Sequence, residues 1–261
     1  MRGNFHMLTM LQTYMPPNPI LWPFAFAFLV YGLRYFVTAL LAYLVARPIN
    51  GRWWGRAHAD VPENFDAQRH LKREIFYSFW TVVIFGLVNA ALFGWGLIGS
   101  SLLYFNISNY PGWWFWLSIP VMIILHDTFF YWLHRIMHLP VLFKTMHKVH
   151  HMSIYPTSFA AYSFHPSEAI TEALIVTAII FIIPVHPLAF LIFQTISTAY
   201  NVYGHCGREF YPANMEKHWL GRWINTSTVH AFHHSKAKGN YGFYFLFWDR
   251  MMNTYTPATS E

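Results

Sequence analysis

Long apolar runs dominate the first half of the chain. One covers residues 20–45 and contains a single charge, Arg34, and a second covers residues 76–98 without any charged residue. A third begins near Trp113 and continues toward His126. A hydrocarbon core is about 30 Å thick, and a helix of about 20 apolar residues crosses it. This pattern predicts three membrane-spanning helices.

A fourth apolar stretch, residues 169–203, is interrupted by Pro184 and Pro187. Each proline removes a backbone donor and disfavours helix in the residue before it. The two arms are each about 15 to 17 residues long, or roughly 25 Å as helices, which is marginal for a full crossing. We therefore predict a short or re-entrant helical hairpin whose two ends lie on the same side of the membrane.

The distribution of basic residues predicts the orientation. Residues 46–75 are rich in arginine and lysine, whereas residues 100–112 carry no charge. Short basic loops stay in the cytosol, so the first segment is predicted to be cytosolic and the second to lie outside. The same parity places residues 126–166 and the chain after Tyr203 in the cytosol. The predicted fold is an all-α integral membrane protein with a cytosolic, helical, histidine-rich cap.

Composition agrees with this fold class. Apolar residues make up 55% of the 261 residues and charged residues only 11%, which is less than half of the roughly 25% found in soluble domains. A single cysteine, Cys206, excludes an internal disulfide framework and any cysteine-ligated zinc or iron–sulfur site within the chain. The net charge is +6, but the basic residues lie scattered between apolar runs. This scatter argues against a nucleic-acid partner and favours a membrane.

The 16 histidines are the main chemical feature of the chain. Three clusters fall in segments predicted to be cytosolic: HDTFFYWLHRIMH at 126–138, HKVHH at 147–151 and HAFHH at 230–234. Residues three and four apart share one face of a helix, so the imidazoles of a cluster can point into one volume. Imidazole suits iron, zinc, copper and nickel, whereas calcium and magnesium prefer oxygen ligands. We predict that eight histidines surround two metal ions: His134, His138, His147, His150, His151, His230, His233 and His234.

Further polar residues near the clusters are candidates for supporting roles. His165 and His205 flank the hairpin, and the sequence leaves a metal-binding and a structural role open for both. A metal-bound imidazole normally donates its second N–H to a carboxylate or carbonyl, so Asp127, Glu168 and Asp249 are candidate acceptors. Asp249 precedes an arginine and could equally form a surface ion pair. The isolated histidines are interpreted as interfacial or hydrogen-bonded: His6, His58, His70, His186 and His218.

The residues alone leave other functions open. A zinc-dependent membrane hydrolase would need an open site with about three protein ligands and a general base, but the chain lacks the HExxH motif. A metal transporter would place ionisable residues in the middle of spanning helices, whereas these clusters are predicted to follow them. A bis-histidine haem protein needs only two axial ligands. The spacing itself accommodates zinc as well as iron.

Four segments carry a resemblance to a known family: HDTFFYWLHRIMH, HKVHH, AAYSFHPSEA and TVHAFHHSKAKGNYGFYFLFWDRMMNTY. Over roughly residues 113–255 the chain resembles the fatty acid hydroxylase and sterol desaturase superfamily of integral-membrane di-iron enzymes. The last two segments and the initial His-Asp are similar to the sterol C5-desaturase-like branch. By this resemblance the eight clustered histidines are metal ligands. His205 matches the closing position of a further HxxxH in the hydroxylase branch, whose opening position here is Asn201. One coordination position would then be filled differently, by His126, His165 or water.

The resemblance implies a function and its cofactors. It implies two non-haem iron ions, with zinc as an inactive surrogate, and O2 as co-substrate in the desaturation or hydroxylation of a sterol or fatty-acyl lipid. The active site would face the cytosol from a bacterial inner membrane or the endoplasmic reticulum. A separate electron donor, a cytochrome b5-type protein or a ferredoxin, is implied, and the basic cytosolic face could dock it. Residues 1–75 would be a membrane anchor with a basic loop, and residues 76–261 a catalytic membrane domain continuous with it.

Overall fold

The computed structural model of the protein describes residues 21–46, 56–57, 62–94, 97–212 and 215–258. Most of this part of the chain is helical, with 3-10 turns in its connections and one two-stranded antiparallel sheet. The strands are β1 (Arg56–Ala57) and β2 (Arg208–Glu209). The described α-helices are α1 (Leu21–Val45), α2 (Ala67–Gly94), α3 (Gly112–Met137), α4 (Pro140–Leu142), α5 (Lys148–His151), α6 (Pro166–Ile182), α7 (Pro187–His205), α8 (Ser227–Lys236) and α9 (Phe247–Met251).

Three of these helices are long and apolar enough to cross a membrane. They are α1, the first 26 residues of α2, and α3, with mean hydropathy of 1.8, 1.9 and 1.3 over their most apolar stretches. Phe26 and Leu33 of α1 are 67% and 70% exposed, as expected of side chains that face lipid. The prediction of an all-helical fold with three candidate spanning helices is confirmed.

Two of the helices extend beyond the apolar runs that predicted them. α2 begins nine residues before Phe76, with Asp66 accepting a hydrogen bond from the backbone N–H of Arg69 at 2.9 Å. Such an acceptor satisfies one of the free donors of the first turn. Helix α3 extends beyond its apolar run at the C-terminal end, where it continues past His126 to Met137. The first histidine cluster therefore lies on the last turns of a long helix.

The hairpin of α6 and α7 is present, and its arms have 17 and 19 residues. Pro166 and Pro187 occupy the first turns of the two helices, where a backbone N–H would have no helical partner anyway. The tip is fixed to the far end of α3, because the indole N–H of Trp114 donates to the carbonyl of Pro184 at 3.0 Å. Both open ends of the hairpin return to the histidine clusters, as described below.

The N-terminal helices pack against the centre of the chain through one buried tyrosine. Tyr35 of α1 stacks on Tyr162 with ring centroids 4.1 Å apart, and its hydroxyl lies 2.7 Å from the carbonyl oxygen of Phe159. The same hydroxyl lies 2.9 Å from Oγ of Ser78 on α2. This contact joins α1, α2 and the 3-10 turn Ser158–Tyr162 in one core.

Tyr35→Phe should lower the free energy of unfolding by about 0.5–1.5 kcal/mol, because it removes one buried hydrogen bond while keeping the ring stack. Thermal unfolding in detergent measures the change. Tyr110→Phe is the matched control, since Tyr110 is 36% exposed, and its effect should stay below about 0.5 kcal/mol. Equal effects of the two substitutions would contradict the central role of the Tyr35 hydroxyl.

Candidate metal centre

Nine imidazoles gather into two adjacent groups, each with its ligand nitrogens within 4.8 Å of one another. The first group has five members and the second has four. All eight clustered histidines predicted as ligands belong to these groups, and His205 joins them in the second. The first group is His134, His138, His147, His151 and His233, and the second is His150, His205, His230 and His234.

The helical pitch decides which histidines share a group. Residues four apart are separated by about 40° around a helix axis, whereas residues three apart are separated by about 60° on the other side. His147, the last residue of a π turn, and His151 of α5 face the first group, and His150 between them faces the second. In α8, His230 and His234 face the second group, while His233 faces the first. Each HxxHH motif thus supplies both groups.

The distances between ring nitrogens match those of ligands on a shared cation. In the first group Nε2 of His134 lies 3.0 Å from Nε2 of His147 and 3.3 Å from that of His138. In the second group Nε2 of His205 lies 3.0 Å from Nε2 of His230. Two nitrogens bound to one metal at about 2.1 Å lie about 3.0 Å apart at a right angle and about 3.4 Å apart at the tetrahedral angle.

Hydrogen bonds on the outer side of the rings fix which nitrogen faces inward. Nδ1 of His134 and Nδ1 of His138 donate to the carbonyls of Tyr241 and Ala237, at 2.9 and 3.0 Å. Nδ1 of His233 donates to the carbonyl of Gly239 at 2.6 Å. A carbonyl only accepts, so a neutral ring that donates from Nδ1 presents a lone pair at Nε2. The short Nε2 contacts between such rings are therefore opposed lone pairs, which a bound cation would stabilise.

Two further ligands of the first group and one of the second have outer partners of the same kind. Nδ1 of His147 lies 2.7 Å from Oε1 of Glu168, at the start of α6. Nδ1 of His151 lies 3.4 Å from the carbonyl oxygen of His234, which links the two groups. Nδ1 of His205 donates to the carbonyl of Asn201 at 2.8 Å. These contacts have the pattern expected of metal-bound imidazoles.

Burial favours the neutral form of three histidines of the first group that lie outside the spanning helices: His138, His151 and His233. Burial lowers the pKa of His138 to about 4 and that of His233 to about 3. Burial, followed by the neighbouring imidazoles, lowers the pKa of His151 well below its usual value. Nε2 of His233 is buried and has no hydrogen-bond partner among the described residues. Neutral imidazole is the form that binds metal, so the donor set fits transition-metal ions.

One loop supplies three of the outer acceptors, and we call residues 237–246 the carbonyl loop. Its backbone amides at 243, 244 and 245 donate to Oδ1 of Asp127 on α3, with a shortest distance of 2.7 Å. Asp249 of α9 is fully buried and accepts from the amides of Tyr241 and Gly242 at 2.9 and 2.8 Å. A β-carbon at Gly242 would collide with the carbonyl oxygen of Phe245, so this close turn requires glycine. The two carboxylates therefore hold the ligands indirectly.

The structure separates the other candidate residues by position. His126 lies outside both groups, with Nδ1 3.2 Å from the hydroxyl of Tyr244. Nδ1 of His165 accepts from the backbone N–H of Ser167 and caps α6. The side-chain amide of Asn201 donates to the carbonyl of Ala161 at 2.8 Å. Of the three proposed carboxylate acceptors, only Glu168 contacts an imidazole directly. His6 and His58 lie outside the described residues.

The functional contacts that sequence reasoning missed are backbone groups. Ala237, Gly239 and Tyr241 act through their carbonyl oxygens, so their side chains give no chemical signal. Ala237 and Gly239 have φ of 51° and 73°. The Lys-Gly-Asn-Tyr-Gly run was the available hint, because closely spaced glycines mark a turn with positive φ.

Fold and site together define a class of protein: a helical protein with three candidate membrane-spanning helices that holds two adjacent all-histidine groups able to bind metal. Residues 119–254 match the sequence profile of the fatty acid hydroxylase family, just over half of the chain. The chain belongs to the fatty acid hydroxylase family. Its similar proteins fall in the sterol desaturase branch.

Three relatives illustrate the similarity. The Delta(7)-sterol 5(6)-desaturase ERG3B of Gibberella zeae is 31% identical over 74% of this chain and 58% of its own length. The ERG3A protein of the same organism, with the same activity in its name, is 28% identical over 87% of this chain and 60% of its own. The lathosterol oxidase of Homo sapiens is 29% identical over 74% of this chain and 64% of its own length. The chain thus spans about three fifths of the length of these relatives, and no solved structure matches it.

His205→Ala should weaken metal binding in the second group, because it removes one of four ligands. Removal of an outer hydrogen-bond partner lowers metal affinity by roughly 10- to 100-fold, and removal of this histidine should lower it by more. Metal retained after dialysis against a graded series of chelator concentrations measures it. His165→Ala at the other mouth of the hairpin is the control and should retain wild-type metal content. Equal losses in both variants would remove His205 from the ligand set.

Asp249→Asn should weaken metal binding in the first group by roughly 10-fold, because an amide has a single acceptor oxygen and one amide of the carbonyl loop loses its partner. The same dialysis experiment measures the change. Glu63→Gln, at an exposed carboxylate remote from the groups, should have no effect. A wild-type affinity in Asp249→Asn would show that the loop does not need this carboxylate.

Proposed function

We propose that this protein desaturates a sterol-type lipid with O2, using two iron ions held by the nine gathered histidines, at the cytosolic face of a membrane. The observation that carries the proposal is the pair of all-histidine groups opening onto an aromatic cavity, in a protein with three helices that can span a membrane. The names of the relatives supply the sterol and the desaturation. Hydroxylation is the second outcome, favoured by the name of the matched family.

The size and chemistry of the first group favour iron over zinc. Five histidines surround that position, whereas structural zinc almost always takes four ligands and undergoes no redox change. Iron accepts imidazole ligands and higher coordination numbers. When bound, the iron pair would supply the O2 activation needed to oxidise an unactivated C–H bond, which protein side chains cannot supply.

The residues of the chain hold the ligands and shape the reaction chamber. The carbonyls of the carbonyl loop, with Glu168, keep the imidazoles of the first group in one orientation. Beside the ligands lies a cavity walled by Phe130, Phe164 and Phe243. These rings exclude water and provide an apolar surface for a lipid. Placement of the lipid against the ligands would decide between removal of two hydrogens and addition of oxygen.

The orientation is supported by contacts at the start of α2. The guanidinium of Arg73 donates to the carbonyl of Met152 at 2.9 Å, directly after the second histidine cluster. Arg73, a basic residue of segment 46–75, therefore lies at the same end of the molecule as the candidate metal centre. Because basic loops stay in the cytosol, this supports a cytosolic active site.

A separate electron donor would dock close to the ligands. Exposed lysines lie on or beside the elements that carry them: Lys144, Lys148, Lys236 and Lys238. An acidic carrier, such as a cytochrome b5-type protein or a ferredoxin, would be attracted to this surface. Desaturation reduces O2 to two molecules of water, which takes four electrons. The lipid gives two of them with its two hydrogens, so the donor must supply the other two, together with two protons from solvent.

The test is turnover of lathosterol by protein loaded anaerobically with iron, in lipid nanodiscs with a ferredoxin, its reductase and NADPH. We expect an O2-dependent product two hydrogens lighter than the substrate, measured by mass spectrometry. Addition of one oxygen instead would identify a hydroxylase. Zinc-loaded protein and His233→Ala should be inactive, while His218→Ala, at an exposed histidine, should keep wild-type turnover. Turnover by the zinc-loaded protein, or without O2, would overturn the proposal.

A further inference from the structure

A charged residue lies in the middle of the first spanning helix. Arg34 stands close to the centre of the 25-residue helix α1. A charge at this depth is costly, and such residues almost always face the interior of the protein or a cavity and serve function. The Arg34 guanidinium donates from Nε to Oγ1 of Thr198 on α7 at 3.1 Å and lies 4.8 Å from the ring centre of Tyr31. Its Nη1 is buried and has no hydrogen-bond partner among the described residues.

Arg34 lines a cavity that leads to the metal centre. This inner cavity is also lined by Glu172 of α6 and Gln194 of α7. It shares four wall residues with the cavity beside the ligands, which reaches three histidines of the second group. The shared residues are Phe130, Phe164, Asn201 and Phe243. One continuous path therefore runs from the histidines, past aromatic rings, to a polar end between the spanning helices.

Helix packing explains only part of this polar end. Thr198 accepts from Arg34 and lies 3.1 Å from the hydroxyl of Tyr162, and the amide of Gln194 donates to the hydroxyl of Tyr31 at 3.1 Å. Such hydrogen bonds join helices in membranes. They do not use Nη1 of Arg34, and among the described residues no salt bridge joins Arg34 to Glu172. A buried cationic donor and a carboxyl group thus line the same cavity without pairing with each other.

We propose that Arg34 and Glu172 bind the hydroxyl group of the lipid substrate at the inner end of this cavity. The inference rests on the proposed lipid oxidation and adds to it the residues that select the substrate. A hydroxyl group accepts from the guanidinium and donates to a carboxyl oxygen of Glu172, so it satisfies both. An ester or ether has no donor for Glu172.

The depth of this anchor limits which carbon reacts. Thr198, which holds Arg34, precedes the ligand His205 by seven residues on α7, or about 10 Å at the rise of a helix. A lipid whose hydroxyl is held there places carbons within about 10 Å of that hydroxyl beside the ligands. The fused rings of a sterol fall within this distance.

The experiment compares two ligands that differ only at the hydroxyl. Binding of lathosterol and of its methyl ether is measured with zinc-loaded protein in nanodiscs, so that no turnover occurs. The wild-type protein should bind lathosterol roughly 10-fold or more tightly than the ether, as expected for hydrogen bonds to charged groups. Arg34→Leu and Glu172→Leu, which remove the donor and the acceptor in turn, should each reduce this preference to under about 3-fold. Leu33→Ala, at an exposed neighbour on α1, should keep the wild-type preference.

The outcomes separate the anchor from the proposed function. Equal binding of sterol and ether by the wild-type protein, or an unchanged preference in Glu172→Leu, overturns the anchor. Tighter binding of oleic acid than of lathosterol also overturns it, because the site would then select a carboxylate. Turnover of lathosterol in the assay described above tests the function independently. A preference for the hydroxyl without turnover would support the anchor and reject the desaturase. Turnover without that preference would support the desaturase and reject the anchor.

Discussion

The structure depends on the electrostatics of nine buried imidazoles whose ligand nitrogens face one another. Where the outer nitrogen donates to a carbonyl, as in His134 and His138, the inner nitrogen carries a lone pair. Protonation would relieve the opposition of such lone pairs, but burial disfavours charged rings, as the lowered pKa of His138 shows. A multivalent cation would compensate them. The donor set therefore has the chemistry of a metal site.

This arrangement makes the two groups interdependent. α5 and α8 each contribute to both, and the rings of His151 and His234 stack across the boundary with centroids 4.8 Å apart. Nδ1 of His151 also contacts the carbonyl oxygen of His234. A shift of either short helix changes the ligand geometry of both groups at once. The distance between two groups built in this way is fixed. A reaction that used a metal in each group would need such a fixed distance.

Local spacing predicted the helices and the eight clustered histidines, because both follow from the pitch of a helix and the thickness of a bilayer. His205 remained open, since its position in the second group depends on how α7 returns beside α8. Asp127 and Asp249 were identified as supporting residues, but their contacts with loop amides depend on contacts between residues distant in sequence. The carbonyls of Ala237, Gly239 and Tyr241 could not be predicted at all, because any residue type supplies a carbonyl.

The region that matches the family profile holds every histidine of the two groups, but it does not complete the cavity. Arg34 comes from α1, well before that region, donates to Thr198 of the hairpin and lines the same cavity as Glu172. The same helix is fixed to the centre of the chain by Tyr35. Arg34 of the proposed hydroxyl anchor thus comes from outside the region that holds the histidines. If the anchor acts as proposed, a substitution in α1 changes which lipid is held without altering a histidine of either group, so substrate choice and metal chemistry are separable within one packed core.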